Sequence, residues 1–128
     1  MLTIELPYPP SVNRYYRHVG FRTLISREGR AYRRAVCAIL RRAGLRPMDG
    51  PLAVGIDLYP PDNRRRDCDN VLKALLDAMQ YGRMYGDDSQ IKKLLVVMRN
   101  TVVPGGKVIV CATQLEPSTL KDIQHELV

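Results

Sequence analysis

Two short acidic runs hold most of the chemistry that this 128-residue chain can offer. Asp67 and Asp69 flank Cys68, Asn70 follows, and Lys73 stands four positions beyond Asp69. Asp87 and Asp88 sit side by side in a glycine-bounded loop, Tyr81-Gly-Arg-Met-Tyr-Gly-Asp-Asp-Ser-Gln. An Asp-x-Asp at a helix start has an ordinary explanation, because the outward-pointing N–H groups there favour negative charge. Asp67 would be the N-cap and Asp69 a first-turn partner of the helix dipole. Asp69, Lys73 and Asp77 at i, i+4 and i+8 have one as well, as a ladder of ion pairs on an exposed helix face. The second acidic pair shifts the balance. Clustered carboxylate oxygens suit a hard divalent cation, Mg²⁺ with Mn²⁺ as a substitute, and no grouped histidines or cysteines point to zinc. In phosphodiester hydrolysis such an ion activates the attacking water and neutralises charge in the transition state, a pair of ions lying about 4 Å apart. Lys73 is spaced to stabilise that charge or to hold the scissile phosphate.

The rest of the chain makes these carboxylates unusual. Twenty basic against 13 acidic residues leave a net charge of +7, which favours a polyanionic partner, most often nucleic acid. Residues 8–46 alone carry ten arginines and one acid, Glu28, and no lysine. Arginine presents a planar fork that meets phosphate oxygens two at a time. Acids beside such a surface repel the ligand that the arginines attract, and a bound cation removes the conflict.

These residues need elements to hold them. Residues 2–7 alternate as a strand that Pro7, Pro9 and Pro10 end. Residues 11–25, with Asn13, Arg14, Tyr15, Tyr16, Arg17, His18 and Phe21, show no helical period and read as an extended arm or loop. Ser26 as N-cap, Gly44 and Pro47 bound a helix over 27–43. Its apolar stripe is Ala31, Tyr32, Ala35, Val36, Ile39 and Leu40, and Arg27, Arg30, Arg34 and Arg41 gather on the opposite side. Residues 52–59 alternate as a strand, and a proline-broken loop leads through Arg64, Arg65 and Arg66 to a second helix over 68–80, with Asp67 at its N-cap. Residues 91–99 and 107–115 read as two strands joined by a turn over Pro104, Gly105 and Gly106. They are so apolar that at least one should be buried on both faces. Tyr81 and Tyr85 are assigned to the core. The tail from Glu116 to Val128 is a short helix or frays. This order predicts one α/β (α+β) domain over residues 1–128, a mixed sheet of about four strands with two main helices.

Cys37, Cys68 and Cys111 have no zinc or disulfide spacing and read as reduced thiols. With no signal peptide and no apolar run near 18 residues, the expected location is the cytoplasm, away from membranes.

Three blocks together resemble the RusA family of Holliday junction resolvases: Leu-Pro-Tyr-Pro-Pro-Ser-Val-Asn-Arg-Tyr-Tyr-Arg-His, Pro-Asp-Asn-Arg-Arg-Arg-Asp-Cys-Asp-Asn-Val-Leu-Lys-Ala-Leu-Leu-Asp-Ala, and Gly-Asp-Asp-Ser-Gln-Ile. They stand in the family's order and spacing between about residues 2 and 115. The resemblance implies a small homodimer that cuts four-way DNA junctions with Mg²⁺ by paired nicks in opposing strands, in recombination and repair, with no small-molecule cofactor. It implies Asp67, Asp69 and Asp88 as the essential acids and metal ligands and Lys73 as the essential base-type residue. Asp87 and Asn70 stand beside them as support, and Cys68 fills a position that is usually aliphatic. The DNA-binding candidates are Asn13, Arg14, Arg17, Arg27, Arg30, Arg34, Arg41, Arg64, Arg65 and Arg66. A C2 dimer would match the approximate two-fold symmetry of a junction, with the strands from Ile91 to Leu115 and the second helix as candidate surfaces.

Two rival classes stay open on residues alone. A non-catalytic DNA-binding regulator would use the arginine helix but gain nothing from Asp67, Asp69, Asp87 and Asp88. A metal nuclease for other branched nucleic acids would carry the same residues, because charge and ligands say nothing about branch shape.

Overall fold

Alternation in the chain becomes a sheet with one buried face. In the computed structural model, which describes residues 1–116, β4 (Leu52–Tyr59) buries Leu52, Val54, Ile56 and Leu58 and turns the residues between them outward. It pairs antiparallel with β6 (Lys107–Gln114) and parallel with β5 (Ile91–Met98), while β1 (Leu2–Leu6) closes the far side of β6, for the order β1-β6-β4-β5. The register Val54↔Ala112, Ile56↔Val110 and Leu58↔Val108 puts the apolar sets of β4 and β6 on the same face. The helices α2 (Arg27–Arg42) and α3 (Asp69–Tyr81) complete the core with Tyr32, Val36 and Leu40 from one and Val71, Ala74, Leu75, Ala78 and Met79 from the other. The result is a two-layer α+β domain with a mixed four-stranded sheet. The expectation of two main helices on about four strands holds.

Five details differ from the sequence reading. Residues 12–25 are not an extended arm: a single turn, α1 (Val12–Tyr15), leads into a hairpin of β2 (Tyr16–Val19) and β3 (Arg22–Ile25) that forms its own two-stranded sheet. Periodicity could not reveal elements this short. The last two strands are not neighbours, because β4 lies between them. Neither is buried on both faces: β6 alternates, and β5 is an edge strand with Leu95 64% exposed and Leu94 40% exposed. The second helix begins at Asp69, with Cys68 rather than Asp67 in the capping position. Tyr85 is buried as expected, but Tyr81 is 59% exposed. The reading of the tail lies outside the described residues beyond Glu116.

α2 begins as its sequence demands. The Ser26 hydroxyl accepts from the Gly29 amide (2.9 Å), and its arginines Arg27, Arg30, Arg34 and Arg41 all lie exposed. Arg33 is the exception. It turns inward to Asp77 (Nη2–Oδ2, 2.7 Å), and the Tyr15 hydroxyl donates to the same oxygen, so that one carboxylate joins α1, α2 and α3. The guanidinium also lies 4.7 Å from the centre of the Tyr81 ring, which accounts for that exposed tyrosine. Burial and the Asp77 hydrogen bond push the Tyr15 hydroxyl well above its usual range, so it stays a donor at any physiological pH. Among the described residues no helix is long and apolar enough to cross a membrane.

Candidate active site and nucleic-acid surface

Of the ordinary explanations of the acidic residues one holds, since Asp69 lies in the first turn of α3, and two do not. Asp67 does not cap α3: the capping position makes no side-chain hydrogen bond there, and only the Asp67 carbonyl is engaged, by the Asn70 amide (3.3 Å). The Asp69–Lys73–Asp77 ladder does not form either, since Asp77 is taken by Arg33 and Tyr15. Asp67, Asp69, Lys73 and Asp88 are exposed, and among the described residues none is in an ion pair. Several other acids are engaged: Glu5 with Lys107, Asp57 with Arg99, Asp62 with Arg64 and Arg66. Glu28 and Asp49 are likewise exposed and outside these ion pairs, so what sets Asp67, Asp69 and Asp88 apart is their place around α3 and the turn that follows it.

The acidic loop divides its work between neighbours. The Asp87 carboxylate accepts from the Ser89 amide (3.0 Å), and the Gln90 side chain accepts from the Asp87 amide (3.0 Å), a capping box around the 3₁₀ turn Asp88–Gln90. The Ser89 amide holds the Asp87 carboxyl below the usual carboxylate range. Gln90 also donates to the carbonyls of Met48 (3.0 Å) and Gly50 (2.9 Å), fixing the turn to the body. Asp87 therefore supports, and Asp88 is presented.

The acids do not all meet. Asp69 opens α3, whereas the Asp88 amide donates to Gln80 Oε1 (3.0 Å) near the other end of the same helix. Gln80 stands eleven positions beyond Asp69, which at 1.5 Å per residue is about 16 Å of helix axis. Among the described residues no three His, Cys, Asp or Glu side chains come together as a metal-holding group. Asp67 and Asp69 are two hard-oxygen donors at one end of α3, with Lys73 one turn further on, and Asp88 is a third at the opposite end.

The first end faces a cleft of about 640 Å³, lined by Tyr8, Arg14, Glu28, Arg65, Asp67 and Asn70 among others. Arg14, Arg64 and Arg65 are exposed around it, as expected of phosphate contacts. Arg66 is committed inward: it pairs with Asp62 (2.7 Å) and lies 6.0 Å from the Tyr8 ring centre. That pairing and the Arg64 amide hold the Asp62 carboxyl at about 2. Arg64 pairs more loosely with the same carboxylate (3.6 Å) and leaves its head in water. Asn13 and Arg17 are exposed at the root and on the first strand of the hairpin. Arg30 donates to the Ile25 carbonyl (2.8 Å) where the hairpin ends. The sequence reading missed the Arg33–Asp77–Tyr15 clasp, for which the one signal was an arginine on the apolar side of an otherwise arginine-faced helix.

Comparison with known proteins gives this arrangement a family. The family described as Endodeoxyribonuclease RusA matches residues 7–110. The chain is 41% identical to the crossover junction endodeoxyribonuclease RusA of Escherichia coli (strain K12), over 88% of this chain and 94% of that protein. It is 42% identical to the protein of the same name from Enterobacteria phage 82, over 88% and 93%. The Shigella sonnei (strain Ss046) protein is also 42% identical, over 88% and 94%. The regulator reading is thereby set aside: the chain belongs to the RusA family of endodeoxyribonucleases.

Proposed function

We propose that the protein is a Mg²⁺-dependent, structure-selective endodeoxyribonuclease that resolves four-way (Holliday) DNA junctions by paired phosphodiester hydrolysis in opposing strands, in recombination and repair. The observation that carries the metal assignment is the exposure of Asp67, Asp69 and Asp88, which have no cationic partner among the described residues, in a protein with seven more positive than negative charges. Their oxygen-only chemistry fits Mg²⁺ or Mn²⁺. Such an ion supplies Lewis-acid activation of water and neutralises charge at the phosphate. The chain's own residues do the rest. Lys73 holds the scissile phosphate, and Arg14, Arg64 and Arg65 seat the flanking backbone in the cleft. The exposed face of α2 (Arg27, Arg30, Arg34, Arg41) extends that track, Asn13 and Arg17 continue it at the hairpin, and Asn70 and Asp87 support the two acidic segments.

The separation of the acids along α3 also supports a homodimer. One copy brings Asp67 to the cleft wall and Asp69 to the same end of α3, and Asp88 at the far end of the helix is available to a second copy. The edge strand β5, which follows the Asp88 turn directly, exposes Leu94 and Leu95 and is the surface we assign to that contact. In a C2 arrangement each site then takes Asp67, Asp69 and Lys73 from one protomer and an Asp88 carboxylate from the other.

Complementation tests this. Asp69→Asn and Asp88→Asn proteins should each fail to cut a synthetic four-way junction in Mg²⁺. Mixed after subunit exchange, they should regain nicking activity, because one of the two shared sites in a heterodimer is intact. A mixture as inactive as either parent would place all three acids of a site on one chain. Retention of near-normal cleavage by either single variant would remove that residue from the site.

A further inference from the structure

Phe21 stands at the tip of the β2–β3 hairpin with its ring fully exposed to water. The register Tyr16↔Ile25 to Val19↔Arg22 leaves Gly20 and Phe21 as a two-residue turn, and Gly20 takes the positive φ (+60°) that such a turn requires at its first position. Val19 and Leu24 beside the tip are also exposed. Among the described residues the hairpin pairs with no other strand and buries little, so it adds little to the fold.

Its root, by contrast, is tightly built. The Ser26 amide donates to the Tyr15 carbonyl (2.9 Å), and the Ser26 hydroxyl lies against the carbonyls of Arg14 and Tyr15. Gly29 lets that crossing happen, since a Cβ there would collide with the Tyr15 carbonyl. The Tyr15 ring is buried, its hydroxyl held by the clasp on α3, the helix that carries Asp69 and Lys73. Arg14 just before the hairpin and Glu28 just after it both line the cleft that Asp67 lines. A firmly anchored hairpin of about 13 Å thus rises from the cleft wall with an aromatic ring at its tip.

The charge around the ring identifies what it meets. Residues 12–25 contain Arg14, Arg17 and Arg22 and no acid, a composition suited to a DNA backbone. We propose that Phe21 is a wedge that stacks on the bases exposed at the branch point of the DNA while the arginines below it hold the strands. Insertion costs least where base stacking is already interrupted, so this contact favours branched over linear DNA. The inference rests on the junction reading above, and names the residue that senses the branch.

The chain contains no tryptophan, so Phe21→Trp makes the tip the only indole in the protein. Its emission is followed during titration with a four-way junction and with linear duplex of equal length, in EDTA. The anisotropy of labelled DNA reports binding independently. The junction should quench the emission and the duplex should leave it nearly unchanged. Phe21→Ala should bind the junction about tenfold more weakly and the duplex within about twofold of the original protein. Unchanged emission on a junction that anisotropy shows to be bound would overturn the wedge, as would equal quenching by duplex. A lower sedimenting mass of Phe21→Ala without DNA would also overturn it, by placing the ring in a protein contact. Failure of the unsubstituted protein to prefer the junction in anisotropy would instead overturn the junction reading, and the wedge with it.

Discussion

Asp67, Asp69 and Asp88 are distinguished by standing at the two ends of α3 while lacking, among the described residues, a cationic partner. In a protein with excess cations, a carboxylate without an ion pair repels a phosphate and gains nothing in return. Asp87 shows the contrast, because one of its carboxylate oxygens accepts from the Ser89 amide and so holds the turn. The sign of the charge therefore separates the residues experimentally. Asp69→Asn keeps the shape and removes one repulsion, so junction binding in EDTA should stay equal or tighten, while Mg²⁺-dependent cleavage falls by orders of magnitude. Lys73→Ala removes an attraction, and should lose cleavage without gaining affinity in EDTA. Paired binding and cleavage assays on the two variants check both signs. Asp69→Asn with weaker metal-free binding would mean that the carboxylate holds something other than a cation.

At the scale of elements, the three helices are joined where two of them meet the root of the hairpin. Asp77 accepts from Tyr15 of α1 and from Arg33 of α2, and lies on the helix that carries Asp69 and Lys73. Removing the carboxylate would leave the half-buried guanidinium and a buried hydroxyl without their partner. Asp77→Ala should therefore cost about 2 kcal/mol of unfolding free energy, as charged hydrogen bonds of this kind do. Urea denaturation at neutral pH measures it. A loss below about 0.5 kcal/mol would show that the clasp is no better than a surface ion pair. The same contact explains why the region around Tyr15 folds into a turn and hairpin when its sequence has no period: the order comes from what Tyr15 and Ser26 touch, over separations that a local pattern does not register.

At the scale of the molecule, exposed apolar surface among the described residues falls mainly, away from Met1, into two patches, the hairpin tip and the β5 edge. Arg22 adjoins the tip, and Arg17 lies two residue pairs below it. The edge carries Lys92, Lys93, Leu94 and Leu95 on a strand that, among the described residues, has one unpaired side, suited to the same strand of a second copy. Leu95→Lys should add like charges across that contact and shift sedimentation from dimer toward monomer. Cleavage should fall in step, because an isolated copy lacks the distant carboxylate at its cleft. An unchanged sedimenting mass would move the dimer surface elsewhere.

Much of this was legible in the chain. Alternation over 52–59 and a 3.6-residue stripe over 27–43 predict their elements almost to the residue, because each element buries one face and the burial shows in the pattern. The acidic and arginine runs, with the family blocks around them, identify the nuclease. Other features depend on which distant segments meet. Only the tertiary structure places β4 between the last two strands, because register across a sheet depends on partners far apart in sequence. Only it shows that Asp77 belongs to Arg33 rather than to Lys73. It also sets Asp88 at the opposite end of α3 from Asp69, since the loop between is pinned by Gln80 and Gln90 and cannot carry the acid back along the helix.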